Sequence, residues 1–276
     1  MNDPWLSLQH LPDHQIPLLS TALLIAKDEY PALSLVDYER RIDAYTEQLY
    51  ADFGHADADT ARLARLNRFL FGELGFAGDD RDYFDPRNSY LNEVLDRRLG
   101  NPISLAIVQI SLAQRLGLPL EGVSFPGHFL VRMPLEEGIV IIDPFHRGRT
   151  LDLPELRRRA RSELSAREVD DQRLARLLEP ASHRAIIVRM LRNLKAGYEE
   201  RGEWDKAVRC ADRILTLDPL ELSEYRERGA LYLKLGHSAA ASADFKRYLA
   251  LAPQSGDAAS VMEQLITAST TNPRFN

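Results

Sequence analysis

The chain has 276 residues, 45% of them hydrophobic, with 35 Lys and Arg against 41 Asp and Glu and a single cysteine. That length leaves room for two domains, and the net charge of −6 argues against general nucleic-acid binding, because phosphate contacts need a basic face. One cysteine excludes an internal disulfide; with no leader and no apolar run of about 18–20 residues, the protein is expected to be soluble, cytoplasmic and without membrane partners.

Residues 1–12 are expected to be irregular. The apolar positions Ile16, Leu18, Leu19, Leu23, Leu24 and Ile25 predict a helix from Asp13 that stops before Tyr30-Pro31, since the residue before proline is pushed out of the helical region. Helices over 34–53 (Leu35, Tyr38, Ile42, Tyr45, Leu49) and 59–74 (Leu63, Leu66, Phe69, Leu70) repeat the spacing of three and four. Residues 75–87 read as a loop leading into a helix over 90–99. This first hundred residues reads as a helical cover on a core. His10, His14 and His55 lack the i, i+4 spacing of a helical metal site, and no metal or cofactor is predicted.

The special residue types concentrate in 89–150, the core. Asn101 before Pro102 is a strong helix start: the Asx side chain accepts from free first-turn amides, and proline at the first helical position has no amide to leave unsatisfied. From Ile103 apolar residues surround the helix on most sides, as in a helix buried at a domain centre, and Gly117 ends it. Two strands are predicted over 123–133 and 138–144, with 134–137 as the turn. His128 follows the Pro126-Gly127 corner and Asp143 closes the second strand, so a hairpin brings the two together.

Residues 151–178 form an arginine-rich, acid-rich helical bridge, in which Arg157, Arg158, Arg159 and Arg161 read as a solvated face. A boundary is expected at 179–182, giving domains 1–180 and 181–276. Beyond it, aligning Pro219 with Pro253 gives a period of 34 that also matches Leu191 with Tyr225, Tyr198 with Tyr232, Gly202 with Gly236, Ala207 with Ala241, Ala211 with Phe245 and Ile214 with Tyr248. That is the tetratricopeptide period. A helix over 258–269, with Val261, Leu265 and Ile266 on one face, is expected to cap the two repeats.

The run Arg-Arg-Leu-Gly-Asn-Pro-Ile-Ser-Leu, followed by Arg-Leu-Gly-Leu-Pro, Phe-Pro-Gly-His-Phe-Leu-Val-Arg and Ile-Ile-Asp-Pro-Phe-His, resembles the bacterial Sir B-type family. That family joins a transglutaminase-like core, of the papain-like superfamily, to tetratricopeptide repeats. The resemblance implies an α+β core with an N-terminal helical cover and a C-terminal all-α repeat region. It also implies a Cys, His, Asp catalytic order, to which His128 and Asp143 correspond. Matching Ala106 and Gly117 to the Ala and Gly of transglutaminase-like sequences puts Pro102 at the cysteine position.

Two readings of function stand side by side. In the first, the core has lost its nucleophile and binds a protein or peptide partner through a core pocket (Asn101, Pro102, Gly127, Arg132, His146) and through the repeats (Tyr198, Tyr232), the resemblance implying a regulatory connection. In the second, Ser104, His128 and Asp143 form an amide or ester hydrolase. Ser104 can instead hydrogen-bond backbone groups at the helix start, and Arg132 and Arg147 can meet a substrate carboxylate or pair with Glu136 and Glu137.

Overall fold

The computed structural model describes residues 3–51, 53 and 58–270; His55 and the tail after Asn272-Pro273 lie outside the described residues. The chain forms two compact units, one of Asp13–Ile187 and one that joins Met1–Pro12 to Val188–Asn276.

After α1 (Pro4–Gln9), the first unit runs α2 (Leu18–Glu29), α3 (Leu35–Tyr50), α4 (Asp59–Asn67), β1 (Ala77–Gly78), α5 (Leu91–Arg97), β2 (Leu99–Gly100) and α6 (Pro102–Arg115). It continues with β3 (Glu121–Val123), β4 (Leu130–Leu135), β5 (Gly138–Asp143), β6 (Arg149–Leu151), α7 (Leu153–Glu163) and α8 (Asp171–Leu177). The helix expected from Asp13 begins instead as a 3-10 turn and becomes α2 only after Pro17. The helix expected over 59–74 changes character midway, α4 passing into a π-helical turn over Arg68–Glu73.

Helix α6 is the spine of this unit. Every residue from Pro102 to Ala113 is buried. Two of its buried polar side chains find partners on its own backbone or on α4: Ser111 Oγ donates to Ile107 O at 2.6 Å, and Gln109 Nε2 donates to Asn67 Oδ1 at 2.6 Å. Gly117, at φ 71°, turns the chain out of the helix, a conformation that costs a residue with a Cβ far more.

Four antiparallel strands follow in the order β3-β4-β5-β6. The single strand expected over 123–133 is two strands. Pro126 has no amide to give a ladder and Gly127 takes φ 65°, so 124–129 leaves the sheet as a corner. In the other direction, Pro134 and Leu135 belong to β4 rather than to a turn, Pro134 pairing opposite Ile139. Proline is tolerated there because β3 pairs only with 130–132 and leaves that flank of β4 open.

The unit is tied off by Asp13, whose carboxylate accepts from the backbone amides of His183 and Arg184, each at 2.9 Å, at the first turn of α9 (His183–Glu200). Burial pushes the Asp13 carboxyl up, but these amide bonds outweigh it and hold the group below its ordinary value. A carboxylate depressed on folding contributes stability that is present above its unfolded pKa and is lost as pH falls through the folded one. D13A is therefore expected to cost about 1 kcal/mol in urea denaturation at pH 7. The difference from wild type should shrink on acidification, and a gap that widens towards acid would contradict this assignment.

The second unit holds the rest of α9, α10 (Trp204–Leu217), α11 (Leu222–Lys234), α12 (Ser238–Leu251) and α13 (Ala258–Thr270). Ala207 and Ala241 are both fully buried, as close helix pairing requires. Gly202 and Gly236 end the first helix of each pair at φ 70° and 73°. The capping helix α13 buries Val261 and Ala268 with Leu265 packed alongside, whereas Ile266, expected on that face, is 57% exposed.

Residues 3–12 are not irregular. Asp3 caps α1 by accepting from Trp5 N at 3.0 Å, α1 packs on α10, and Trp5 is buried with the Arg213 guanidinium 5.0 Å from its ring centroid. Burial of one large indole is what orders so short a helix. Among the described residues no helix is long and apolar enough to cross a membrane.

Candidate functional site

Two places in the first unit gather the residues singled out by sequence, and they differ in kind. The start of α6 is a closed polar knot. Asn101 Oδ1 accepts from Ser104 N at 2.9 Å, and Ser104 Oγ accepts from Asn101 N at 3.1 Å, a reciprocal capping box. The Ser104 hydroxyl lies within donating distance of Asn88 O (2.6 Å) and of Asn101 O (3.1 Å), and Asn101 Nδ2 donates to Ser89 Oγ at 2.8 Å. Ser104 is fully buried, Pro102 is buried at the first helical position, and a Cβ on Gly100 would lie 2.6 Å from Ser104 Oγ. These hydroxyl bonds go to backbone groups and to no proton carrier.

The second place is built by the β4–β5 hairpin, with Val131 opposite Ile142. Asp143 ends β5 with no exposure and is a hub. Its Oδ1 accepts from His128 Nε2 at 2.8 Å and from His146 N at 3.3 Å; its Oδ2 accepts from His146 Nδ1 and from Arg159 Nη1, both at 2.8 Å. Burial alone pushes this carboxyl up. The bond and charge of His128, then the bonds from Arg159 and His146, overcome it and hold the group well below the usual carboxylate range. Phe145 stands edge-on to both imidazoles, with centroids 6.1 Å from His128 and 5.4 Å from His146, and itself fills the space over Gly78.

An open cleft of about 420 Å³ faces this hub, lined by Pro126, Gly127, His128 and His146 on one side and by Arg158, Arg159, Ser162 and Glu163 of α7 on the other. Gly127 is required by its φ of 65°, and the exposed Glu163 carboxylate packs over the space where a Cβ would lie. The site thus offers two imidazoles, one buried carboxylate and a guanidinium, enough to carry a proton, hold an anion or ligate a cation.

The structure brings His128, Asp143, His146 and Gly127 together and leaves the other sequence candidates elsewhere. Arg132 lies opposite Glu121 across the β3–β4 pair, its Nε 2.9 Å from Glu121 Oε2, and donates to Leu178 O at 2.9 Å. It therefore does not pair with Glu136 or Glu137. Arg147 is exposed at φ 56° in the turn after β5. In the repeat unit, Tyr198 is 4% exposed beneath Lys206, and Tyr232 is half-buried under Arg228 and beside His237.

Arg159, expected on a solvated face, instead reaches the buried Asp143. The available signal was spacing: Leu156, Arg159, Ala160 and Glu163 fall at i, i+3, i+4 and i+7, and Leu156 and Ala160 are both buried, so Arg159 shares the inward face.

A family profile described as the transglutaminase-like superfamily matches residues 36–192, more than half of the chain. The chain belongs to the transglutaminase-like superfamily. A tetratricopeptide-repeat profile matches residues 194–266. A UPF0162 protein of Xylella fastidiosa (strain Temecula1) is 50% identical over 265 residues, covering 96% of this chain and 94% of the relative. A UPF0162 protein of Pseudomonas aeruginosa is 35% identical over 85% of this chain and 84% of its own. Protein SirB1 of Salmonella typhimurium is 29% identical over 70% of this chain and 71% of its own. This transglutaminase-like unit followed by repeats is thus a bacterial, Sir B-type arrangement. In it, His128 lies in the corner just before β4 and Asp143 ends β5.

Proposed function

We propose that this superfamily member recognises a protein or peptide segment, and that its His–Asp pair organises a binding cleft instead of activating a nucleophile. The observation that carries the reading is the state of the helix start. Pro102 stands where the resemblance puts the cysteine, and the candidate hydroxyl of Ser104 is buried and spent on backbone bonds. The chain's single cysteine, Cys210, is buried in α10 of the repeat unit. A buried hydroxyl with no base in hydrogen-bond reach lacks the activation that nucleophilic catalysis needs. Tetratricopeptide repeats generally mediate protein interactions, which favours a macromolecular partner.

Two measurements test this. Native full-length protein treated with a fluorophosphonate probe is expected to carry no adduct on Ser104 by mass spectrometry. An adduct on Ser104 that disappears in H128A would establish the hydrolase formed by Ser104, His128 and Asp143 instead. Peptides selected from a random library on the full chain are expected to weaken about tenfold or more on R158E, a substitution on the exposed cleft wall. A library that returns no ligand, or ligands indifferent to both R158E and changes in the repeats, would sink the reading.

A further inference from the structure

The hub at Asp143 has an atomic arrangement that hydrogen bonding alone does not exhaust. The donor atoms of His128, Asp143 and His146 lie within 4.8 Å of one another. All are of the kind that binds a borderline transition-metal dication: two imidazole nitrogens and one carboxylate oxygen. We propose that His128, Asp143 and His146 form a site for a transition-metal dication of the Zn²⁺ class. The proposal is independent of whether the cleft also binds a peptide.

Four features of the surroundings fit a metal site. The first is pre-organisation: Asp143 is fixed at the end of β5, His128 comes from the corner before β4, and His146 follows in the next turn, so the two flanking ligands are held by one hairpin. The second is an outer shell. Arg159 holds Asp143 Oδ2 at 2.8 Å while its other amine binds Glu155 Oε1 at 2.8 Å, so its charge is matched, and Oδ1, which accepts from His128 Nε2 and His146 N, is the oxygen that the guanidinium leaves to the imidazole side. The third is an entry path, since the His146 side chain is 52% exposed and the His128 side chain 15% exposed at the open cleft.

The fourth is an open coordination sphere. Three protein ligands leave at least one position facing the cleft, which is the form of an exchangeable rather than a purely structural site. Binding would release to solvent the ring protons that His128 and His146 now direct at the carboxylate, freeing those nitrogen lone pairs for the cation. Helical i, i+4 spacing does not reveal this set. His128 and Asp143 are joined only through the strand pairing, and His146 lies three residues past Asp143.

The test uses chelator-treated full-length protein titrated with Zn²⁺ by calorimetry and with Co²⁺ by visible absorption. The expected result is one tight site per chain with Co²⁺ absorption bands of low, imidazole-containing coordination. H146A should weaken it about tenfold or more, because one of three protein ligands is lost. H146A is chosen over changes at Asp143 because His146 is half-exposed, so the variant keeps its fold; circular dichroism checks this. Binding that is equally tight in H146A, or wild-type protein that takes up neither metal, would overturn the proposal. H14A, H183A and H237A serve as controls and are expected to leave the tight site unchanged.

Discussion

D143L is expected to destabilise the unit of residues 13–187 by about 3–5 kcal/mol, the cost of removing one partner from a buried ion network. The carboxylate is fully buried and accepts from His128, His146 and Arg159. Leucine fills similar space but leaves the Arg159 guanidinium with only Glu155 and removes the acceptor of the His128 and His146 ring N–H groups. D143N keeps the shape and one acceptor, so it should cost clearly less, and the ordering wild type, Asn, Leu is the readout in urea denaturation followed by far-UV circular dichroism. The acid dependence has a definite sign. Because folding depresses the Asp143 carboxyl, its contribution is complete above the unfolded carboxylate range, near pH 4, and disappears as pH falls further. D143L as stable as wild type would mean that the hub contributes nothing to the fold.

F245A is expected to cost the repeat unit about 3–5 kcal/mol, since truncating a fully buried phenylalanine loses its transfer free energy and leaves a cavity. The ring lies directly on Gly229: a Cβ at Gly229 would sit 2.6 Å from it. G229A alone should therefore also destabilise, by about 1–3 kcal/mol of overpacking, and in the F245A background the added methyl should cost much less. Additive losses in the double variant would show that ring and glycine do not share one packing site. The 34-residue register makes sense of the pair. The first repeat has Lys195 and Ala211 at the positions of Gly229 and Phe245. There the large side chain sits on the other helix: Lys195, 5% exposed, reaches Glu224 and, at 2.6 Å, Glu227.

What could be read from sequence was whatever local chemistry fixes. Asn101-Pro102 announced the start of α6 because capping involves only neighbouring residues, and Gly202 and Gly236 marked helix ends because few other residues take their φ. The approach of His128 to Asp143 followed from one short hairpin. The rest depended on partners distant in sequence. Trp5 orders α1 only through α10, β3 and β6 are three residues each and too short to show a period, and the partner that gives the inward Arg159 its role, Asp143, lies 16 residues away on another element. Ser104 illustrates the limit: its residue type fits a nucleophile, and only its backbone partners reveal a cap.

The pairing of α1 with α10 also bears on how the protein is made. The segment holding Trp5 leaves the ribosome long before residues 204–217, which bury it. The unit of residues 13–187 has all its own parts by then and can fold while translation continues. The repeat unit, by contrast, must wait for nearly the whole chain, with an exposed indole at its leading segment in the meantime. Vectorial synthesis therefore imposes an order in which the inserted unit is completed first. A stop before residues 204–217 emerge would leave the tryptophan-bearing segment without the helix that buries it.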